Sequence, residues 1–382
     1  MMRKVELPRS KSVVARLALM YAVSGEEVPI FNDNDDIEVI CNAVNTLKYE
    51  VNVQKSGTAA RFMIAYCASI DEEHIVDGDE QLRRRPMVAI VDAVRKLGAI
   101  VEYLNEEGKL PVKLKGCDWG ENRKVEIDAT ESSQCISALM IVGAKKGLTI
   151  ETIGKRVSWK YVELTKRLME RCGADVMVDD RSVNVSCEEY WIDKNLWSER
   201  DWSAAVLWYG LVSVGDEQRV LLKGLKFHSG QPDERVKEFF GEMGVESVEH
   251  ADGIEIFRSG EKRKYIETDF LDNPDMVMVS VAAMCRLGIK FKLTGLDTLE
   301  RKESDRGHVL KGEMAKCGYK LGFDGKEMWW NGEKCELLGK CNAHGDHRIA
   351  MALLVIGVEF AGRQSINKSY RLYGTEFRGE GE

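Results

Sequence analysis

Five stretches of this chain are variations on one pattern: GTAARFMIAYCASIDEEHIVDG, SSQCISALMIVGAKKGLTIET, WSAAVLWYGLVSVGDEQRVLLKG, PDMVMVSVAAMCRLGIKFKLTG and DHRIAMALLVIGVEFAGRQSI. Each opens on a small polar or capping residue, runs through an apolar stretch, turns, and ends in a β-type segment. Their landmarks, Thr58, Ser133, Ser203, Asp275 and His347, are spaced by 75, 70, 72 and 72 residues. Repetition at a fixed period constrains a fold more than any local propensity does. A sixth copy, SVVARLALMYAVSGEEVPIF, starts at Ser12, only 46 residues before Thr58, so the first repeat is short.

A second landmark runs out of phase with the first. In RKLGAIVEY, ERCGADVMV, GEMGVESVE and AKCGYKLGF an amphipathic helix ends at Gly98, Gly173, Gly244 or Gly318 and a strand follows, at spacings of 75, 71 and 74. Glycine just past a helix end tolerates the positive φ of a C-terminal cap. NTLKYEVNV reads as a degenerate first copy, with Lys48 in the glycine's place.

The chain therefore reads as six α/β units. A length of 382 residues exceeds one ordinary core, so two domains of three units each are expected. The first helix of each unit is apolar nearly all round and belongs inside, with the sheets around it. No run of 18 apolar residues exists, so no membrane span is expected. The opening MMRKVELP has no apolar signal region, and the ten cysteines contain no C-x-x-C pair. Both point to reduced thiols and the cytoplasm. A net charge of −8 excludes a general duplex binder, so any cations that matter are gathered locally.

They gather at helix starts. Lys11-Ser12, Gly57-Thr58, Ser132-Ser133 and His347-Arg348 each place a hydroxyl or a cation where free N–H groups and the helix dipole already favour an anion. If these starts converge, the cleft suits a polyanionic ligand. Four further clusters stand out: Arg83 to Arg85 before Pro86; Lys302, Glu303, Asp305 and Arg306; Asp275 after Pro274; and Lys368. Read singly, each is equally a solvated charge run, a surface ion pair or an N-cap. No phosphate-binding P-loop and no dinucleotide glycine motif occurs. His344 and His347 lack evident further metal ligands.

Taken together and in order, LPRSKSVVAR, SGTAAR, RRRP, SSQ, NPD, RKESDR and DHRIAM resemble the 5-enolpyruvylshikimate-3-phosphate synthase family of enolpyruvyl transferases, across essentially the whole chain. The resemblance implies a two-domain inside-out α/β barrel of six βαβαββ repeats, three per domain, with the active site in the interdomain cleft. It implies transfer of the enolpyruvyl group of phosphoenolpyruvate to the 5-hydroxyl of shikimate 3-phosphate, with release of phosphate, in the pathway to chorismate and aromatic amino acids. No metal or organic cofactor is implied. The substrates are small molecules, neither nucleic acid nor membrane is a partner, and a monomer is expected.

Carried over by motif, Lys11, Asp275 and Glu303 would be catalytic. Asp275 would be the base for the 5-hydroxyl, and Glu303 would act with Lys11 in proton transfer at the methylene carbon. Lys11, Ser12, Arg16, Ser132, Ser133, Gln134, Ser158, Tyr161, Asp275 and Lys302 would bind shikimate 3-phosphate. Lys11, Gly57, Arg85, Gln134, Arg306, Arg348 and Lys368 would bind phosphoenolpyruvate. Thr58 and Asp305 would orient rather than act. One domain would take residues 1–10 and 228–382 and the other 11–227, with the crossings as hinges.

The sequence departs from the family pattern at Arg9 (usually glycine), Lys55 (often asparagine), Gln81 (often arginine), Lys160 and Arg371 (both usually proline). The departures leave open a non-catalytic paralogue that binds phosphorylated metabolites; a second alternative, the sister transferase acting on UDP-N-acetylglucosamine, shares the implied fold and donor.

Overall fold

The computed structural model describes residues 2–119, 123–337 and 339–363. Four four-stranded sheets share one topology. In the first, Glu50–Asn52 lies parallel to Glu73–Asp77, which pairs antiparallel with Val112–Lys115, which pairs antiparallel with Ile100–Tyr103. Lys124–Asp128, Leu148–Ile153, Ser182–Ser186 and Asp175–Val178 repeat it. So do Arg3–Glu6, Arg219–Lys223, Gly253–Arg258 and Val245–His250, and Tyr265–Asp269, Lys290–Thr294, Met328–Trp330 and Gly322–Phe323. Each parallel pair needs a crossover, and a buried helix supplies it. The out-of-phase glycines cap the second helices: Gly98, Gly173, Gly244 and Gly318 all have positive φ.

The other two units are partial. The short first one contributes the helices Lys11–Ser24 and Asp35–Asn45, with no strand among the described residues between 11 and 49. The last has Cys341–Asn342 parallel to Phe360–Ala361 around the helix His347–Ile356.

Two apolar cores result. Helices Lys11–Ser24, Gly57–Ala68 and Ser133–Gly143 pack together in one. Trp202–Val214, Val277–Leu287 and His347–Ile356 pack together in the other. The second trio meets at Gly210, where a Cβ would lie 2.6 Å from Val279 Cγ1 and 2.8 Å from Val355 Cγ2. That close approach explains a glycine inside an apolar helix.

The cores divide the chain differently from the sequence expectation. Val5 and Leu7 join the second core, and the first core ends at Trp197. The second crossing therefore lies at 198–201, not at 227–228. The reason is the ladder of the N-terminal strand: Arg3 aligns with Val220 and Glu6 with Lys223, so that unit's buried helix, Trp202–Val214, must belong to the same core. The two crossing segments lie side by side, with Ser10 N–H donating to the Glu199 carbonyl at 2.8 Å and Asp201 N–H to the Pro8 carbonyl at 3.0 Å. Gln231 clips both: its amide oxygen accepts from Ser10 Oγ at 2.9 Å, and its nitrogen donates to the Arg200 carbonyl at 2.8 Å.

Candidate active site

The helix starts converge on a cavity between the cores. Lys11, Ser12, Arg16, Thr58, Arg85, Ser132, Ser133, Gln134, Ser158 and Tyr161 line it from the first core. Asp275, Lys302, Glu303 and Arg306 line it from the second. The helices Lys11–Ser24, Gly57–Ala68, Ser133–Gly143, Arg306–Lys316 and His347–Ile356 carry no acidic residue in their first turns. Acids are favoured there by the dipole, so their absence leaves the field available to a ligand. The inner cavity measures about 110 Å³ and is continuous, past Arg85, Lys302 and Glu303, with a wider mouth of about 950 Å³.

On the first-core wall, Arg16 is buried. Its Nε donates to Thr165 Oγ1 at 2.6 Å, and its terminal nitrogens donate to Ser137 Oγ and to the carbonyls of Ser12 and Tyr161. Burial lowers its guanidinium to about 10, against a smaller opposing effect from Tyr161. Arg85 lies over Gly57, where a Cβ would come within 2.4 Å of Nη1. Any side chain at 57 would evict the guanidinium, which explains glycine at the first turn. Gln134 donates to Thr58 Oγ1 at 2.9 Å, and Ser132 Oγ accepts from its N–H at 3.2 Å. Ser158 is held at φ 51 with its N–H on the Leu271 carbonyl of the second core. Lys11 Nζ is 3.0 Å from Asp36 Oδ2.

The second-core wall is a chain of ions. Arg306 Nη1 donates to Asp275 Oδ1 at 2.8 Å, Nη2 donates to Glu303, and Nε donates to Asp346 Oδ2 at 2.8 Å. Lys302 Nζ is 3.3 Å from Asp275 Oδ1, and Arg348 Nη2 is 3.8 Å from Oδ2. Loss of solvent alone would raise Asp275, but Lys302, Arg306, Arg348 and Lys11 together hold it well below the usual carboxylate range. Glu303 is likewise held low, with Arg306, Arg85, His347 and Lys11 outweighing desolvation. Burial would lower Arg306, yet Asp346, Glu303 and Asp275 raise it above its ordinary value.

Every described candidate residue thus lies on this cleft or one contact from it; Lys368 falls outside the described residues. Glu303 has Arg306 as its hydrogen-bonded partner, and the charge of Lys11 acts on it less strongly. Sequence reasoning missed three residues. Arg61 donates to the Gly57 carbonyl, Gln134 Oε1 and the Pro86 carbonyl at 3.0, 3.1 and 3.0 Å, tying three site loops together. Its signal was a cation one turn into an apolar helix. Asp346 is fully buried under Arg306 and caps the His347–Ile356 helix. Its signal was its place just before His347. Asp36, the partner of Lys11, sits in NDNDDIE, where it is indistinguishable from an ordinary helix-start acid.

The family described as EPSP synthase (3-phosphoshikimate 1-carboxyvinyltransferase) matches residues 6–375. The chain belongs to the EPSP synthase family. A 3-phosphoshikimate 1-carboxyvinyltransferase of Bacteroides fragilis is 33% identical over 390 residues, 99% of this chain and 95% of that one. One from Methanopyrus kandleri is 32% identical over 323 residues, 84% of this chain and 74% of that one. A solved EPSP synthase structure from Acinetobacter baumannii shares the fold, with a TM-score of 0.67 at 19% identity, covering 97% of this chain and 94% of that one.

Among the departures from the EPSP synthase pattern, Arg9 pairs with Asp33 at 2.7 Å and lies over the Phe31 ring. Lys160 pairs with Glu163 on the surface. Lys55 lines the outer mouth of the cleft beside Arg84 and Arg301. Arg371 lies outside the described residues. None of Arg9, Lys55 and Lys160 displaces a site residue. No helix among the described residues is long and apolar enough to cross a membrane.

Proposed function

We propose that this cleft transfers the enolpyruvyl group of phosphoenolpyruvate to the 5-hydroxyl of shikimate 3-phosphate. One observation carries the reading. Two half-buried carboxylates, Asp275 and Glu303, are joined through one guanidinium, and they face helix starts left free of first-turn acids. Anion sites alone need no such pair, which disfavours the non-catalytic paralogue.

In this mechanism the substrate 5-oxygen attacks C2 of phosphoenolpyruvate and gives its proton to Asp275. The methylene carbon takes a proton through Glu303 and Lys11, forming a tetrahedral ketal. Phosphate then leaves, and loss of a methyl proton restores the double bond. Arg85, Arg306, Arg348 and Lys368 hold the phosphate and carboxylate of phosphoenolpyruvate. Ser132, Ser133, Gln134, Ser158 and Tyr161 hold shikimate 3-phosphate, with Ser12, Arg16 and Lys302. Asp275 is a weak base while four cations face only it and its neighbours. Anionic substrates take over part of that charge, which raises Asp275 toward a useful basicity. In this reading the two cores act as domains that part for substrate entry and close again over the bound anions. We place this reaction in the cytoplasm, carried out by a monomer; ten free thiols fit a reducing setting.

The test is phosphate release with phosphoenolpyruvate, with and without shikimate 3-phosphate, and with UDP-N-acetylglucosamine in parallel. Release should depend on shikimate 3-phosphate. Asp275→Asn should lower turnover by roughly 10²–10⁴-fold, the usual weight of a general base, while keeping affinity for shikimate 3-phosphate. Release with neither acceptor from a folded protein would overturn the proposal.

A further inference from the structure

The described residues bridge the cleft at two hydrogen-bonded places. At the first, Ser158 N–H donates to the Leu271 carbonyl at 3.0 Å and Trp159 N–H to Asp272 Oδ1 at 2.8 Å. At the second, the side-chain amide of Gln81 donates to the backbone carbonyl of Glu303 at 2.6 Å. Only the amide nitrogen serves here, because a backbone carbonyl is an acceptor alone. The first bridge is made by backbone on one side and could form with many sequences. The second depends on the side chain of one residue, at a position where the family pattern often has arginine.

Gln81 is not an isolated surface amide. It sits on the short turn of helix Glu80–Arg83, which is built as one piece with the loop before Gly57. Asp79 N–H donates to the Gln54 carbonyl at 2.8 Å, and Gly78 packs so closely that a Cβ would lie 2.6 Å from that same oxygen. Four residues further on, Arg85 N–H donates to the Leu82 carbonyl at 2.9 Å, and its guanidinium covers Gly57. The piece that carries Gln81 therefore also carries the cation assigned to the phosphoenolpyruvate phosphate. On the opposite wall, the acceptor belongs to Glu303, whose side chain is bound to Arg306 and through it to Asp275.

We propose that Gln81 is a positioning residue that couples closure of the cleft at Arg85 to the placement of Glu303. When the walls meet, its amide fixes the Glu303 backbone. The Glu303 carboxylate is then aimed from a peptide unit tied to the phosphate-binding turn. When they part, the bond is lost and Glu303 is positioned from its own wall, through Arg306 and the Ser304–Asp346 hydrogen bond. This inference rests on the proposed role of Glu303 in proton transfer.

The experiment uses the full-length protein and two readouts: compaction in small-angle scattering as shikimate 3-phosphate is added, and turnover at saturating concentrations of both substrates. Gln81→Ala should need about fivefold more shikimate 3-phosphate for half-compaction and lose about fivefold in turnover, the factor one ordinary hydrogen bond is worth. Gln81→Glu is isosteric and turns an oxygen toward the carbonyl, so it should lose more than Gln81→Ala on both counts. Gln81→Arg, which restores a donor, should recover most of each. A folded Gln81→Glu with wild-type compaction and turnover would overturn the proposal, as would lost turnover with unchanged compaction. Glu303→Gln keeps the backbone carbonyl and should compact like wild type. If it also turns over like wild type, the role of Glu303 falls, while the effect of Gln81 on closure is judged separately.

Discussion

Arg16 and Arg61, on the first-core wall, are held by hydroxyls, amides and backbone carbonyls, and burial lowers both guanidiniums. Arg306, on the second-core wall, is held by three carboxylates and raised above its ordinary value. Several cleft-facing helices carry a matching difference in their caps. Ser10, Ser56 and Ser132 precede the first-core helices, whereas Asp201, Asp305 and Asp346 precede second-core ones. Neutral hydrogen-bond partners leave the charges of Arg16 and Arg61 without a paired carboxylate, which suits the capture of phosphate and carboxylate, whereas Lys11 on the same wall is paired with Asp36. Paired charges on the second wall cancel at a distance but hold carboxylates ready for proton transfer. One repeat, used six times, thus yields a binding wall and a chemical wall through a change of caps and counter-charges.

The contrast is open to direct attack. The largest effect on stability should come from Arg306→Met, which leaves Asp346, Asp275 and Glu303 without their shared cation. A loss of about 3–5 kcal/mol is expected near neutral pH, as for other broken buried pairs. The sign with pH is defined. Asp275 and Glu303 are depressed in the folded protein, so the stability they contribute is present above the ordinary carboxylate value of about 4 and is lost as pH falls below it. Denaturant melts of wild type and Arg306→Met should therefore converge in acid.

Arg61→Met removes a cation whose partners are neutral. It should cost about 1–3 kcal/mol, the penalty of leaving buried carbonyls unsatisfied, and the cost should be the same at pH 7 and pH 4. A cost that shrinks in acid would break the comparison between the walls.

Asp233 sharpens it, because it is, like Asp201, a second-core carboxylate that runs the other way. It is buried, accepts from Ser203 Oγ, and is pushed up to about 6 by desolvation first and then by Asp275. A raised folded value means that its ionised form costs stability above pH 6, and that the cost fades as pH falls toward 4. Asp233→Asn should stabilise the protein by on the order of 2 kcal/mol at pH 7.5, from a shift of that size, and by nearly nothing near pH 4. Thermal melts at the two pH values settle the point; equal gains at both would show that solvation of Asp233 is not the cause.

Much of this was legible in the sequence because a repeat writes its own fold. The apolar runs after Thr58 and Ser133 mark one place in a unit and the glycines at 173 and 244 another, so helix, turn and strand could be read without knowing their partners. The candidate residues at helix starts were legible for a related reason: a cation beside a hydroxyl at the head of an apolar helix has few uses other than an anion. Arg61, Asp346 and Asp36 were not legible as site residues. Each is chemically ordinary along the chain, and its role lies in what faces it from another unit.

The same division separates what the chain dictates from what folding decides. Periodicity determined the units, their inward helices and the anion-seeking starts, because those follow from neighbours within about a turn. Tertiary structure decided where the chain crosses between cores, since the strand Arg3–Glu6 takes its partner only at Arg219–Lys223. It also decided that Asp275, Glu303 and Asp346 share one guanidinium, and that Gln81 meets Glu303 across the cleft. Charge pairing and hydrogen bonding depend on distance in space, and no spacing along the sequence encodes that distance directly.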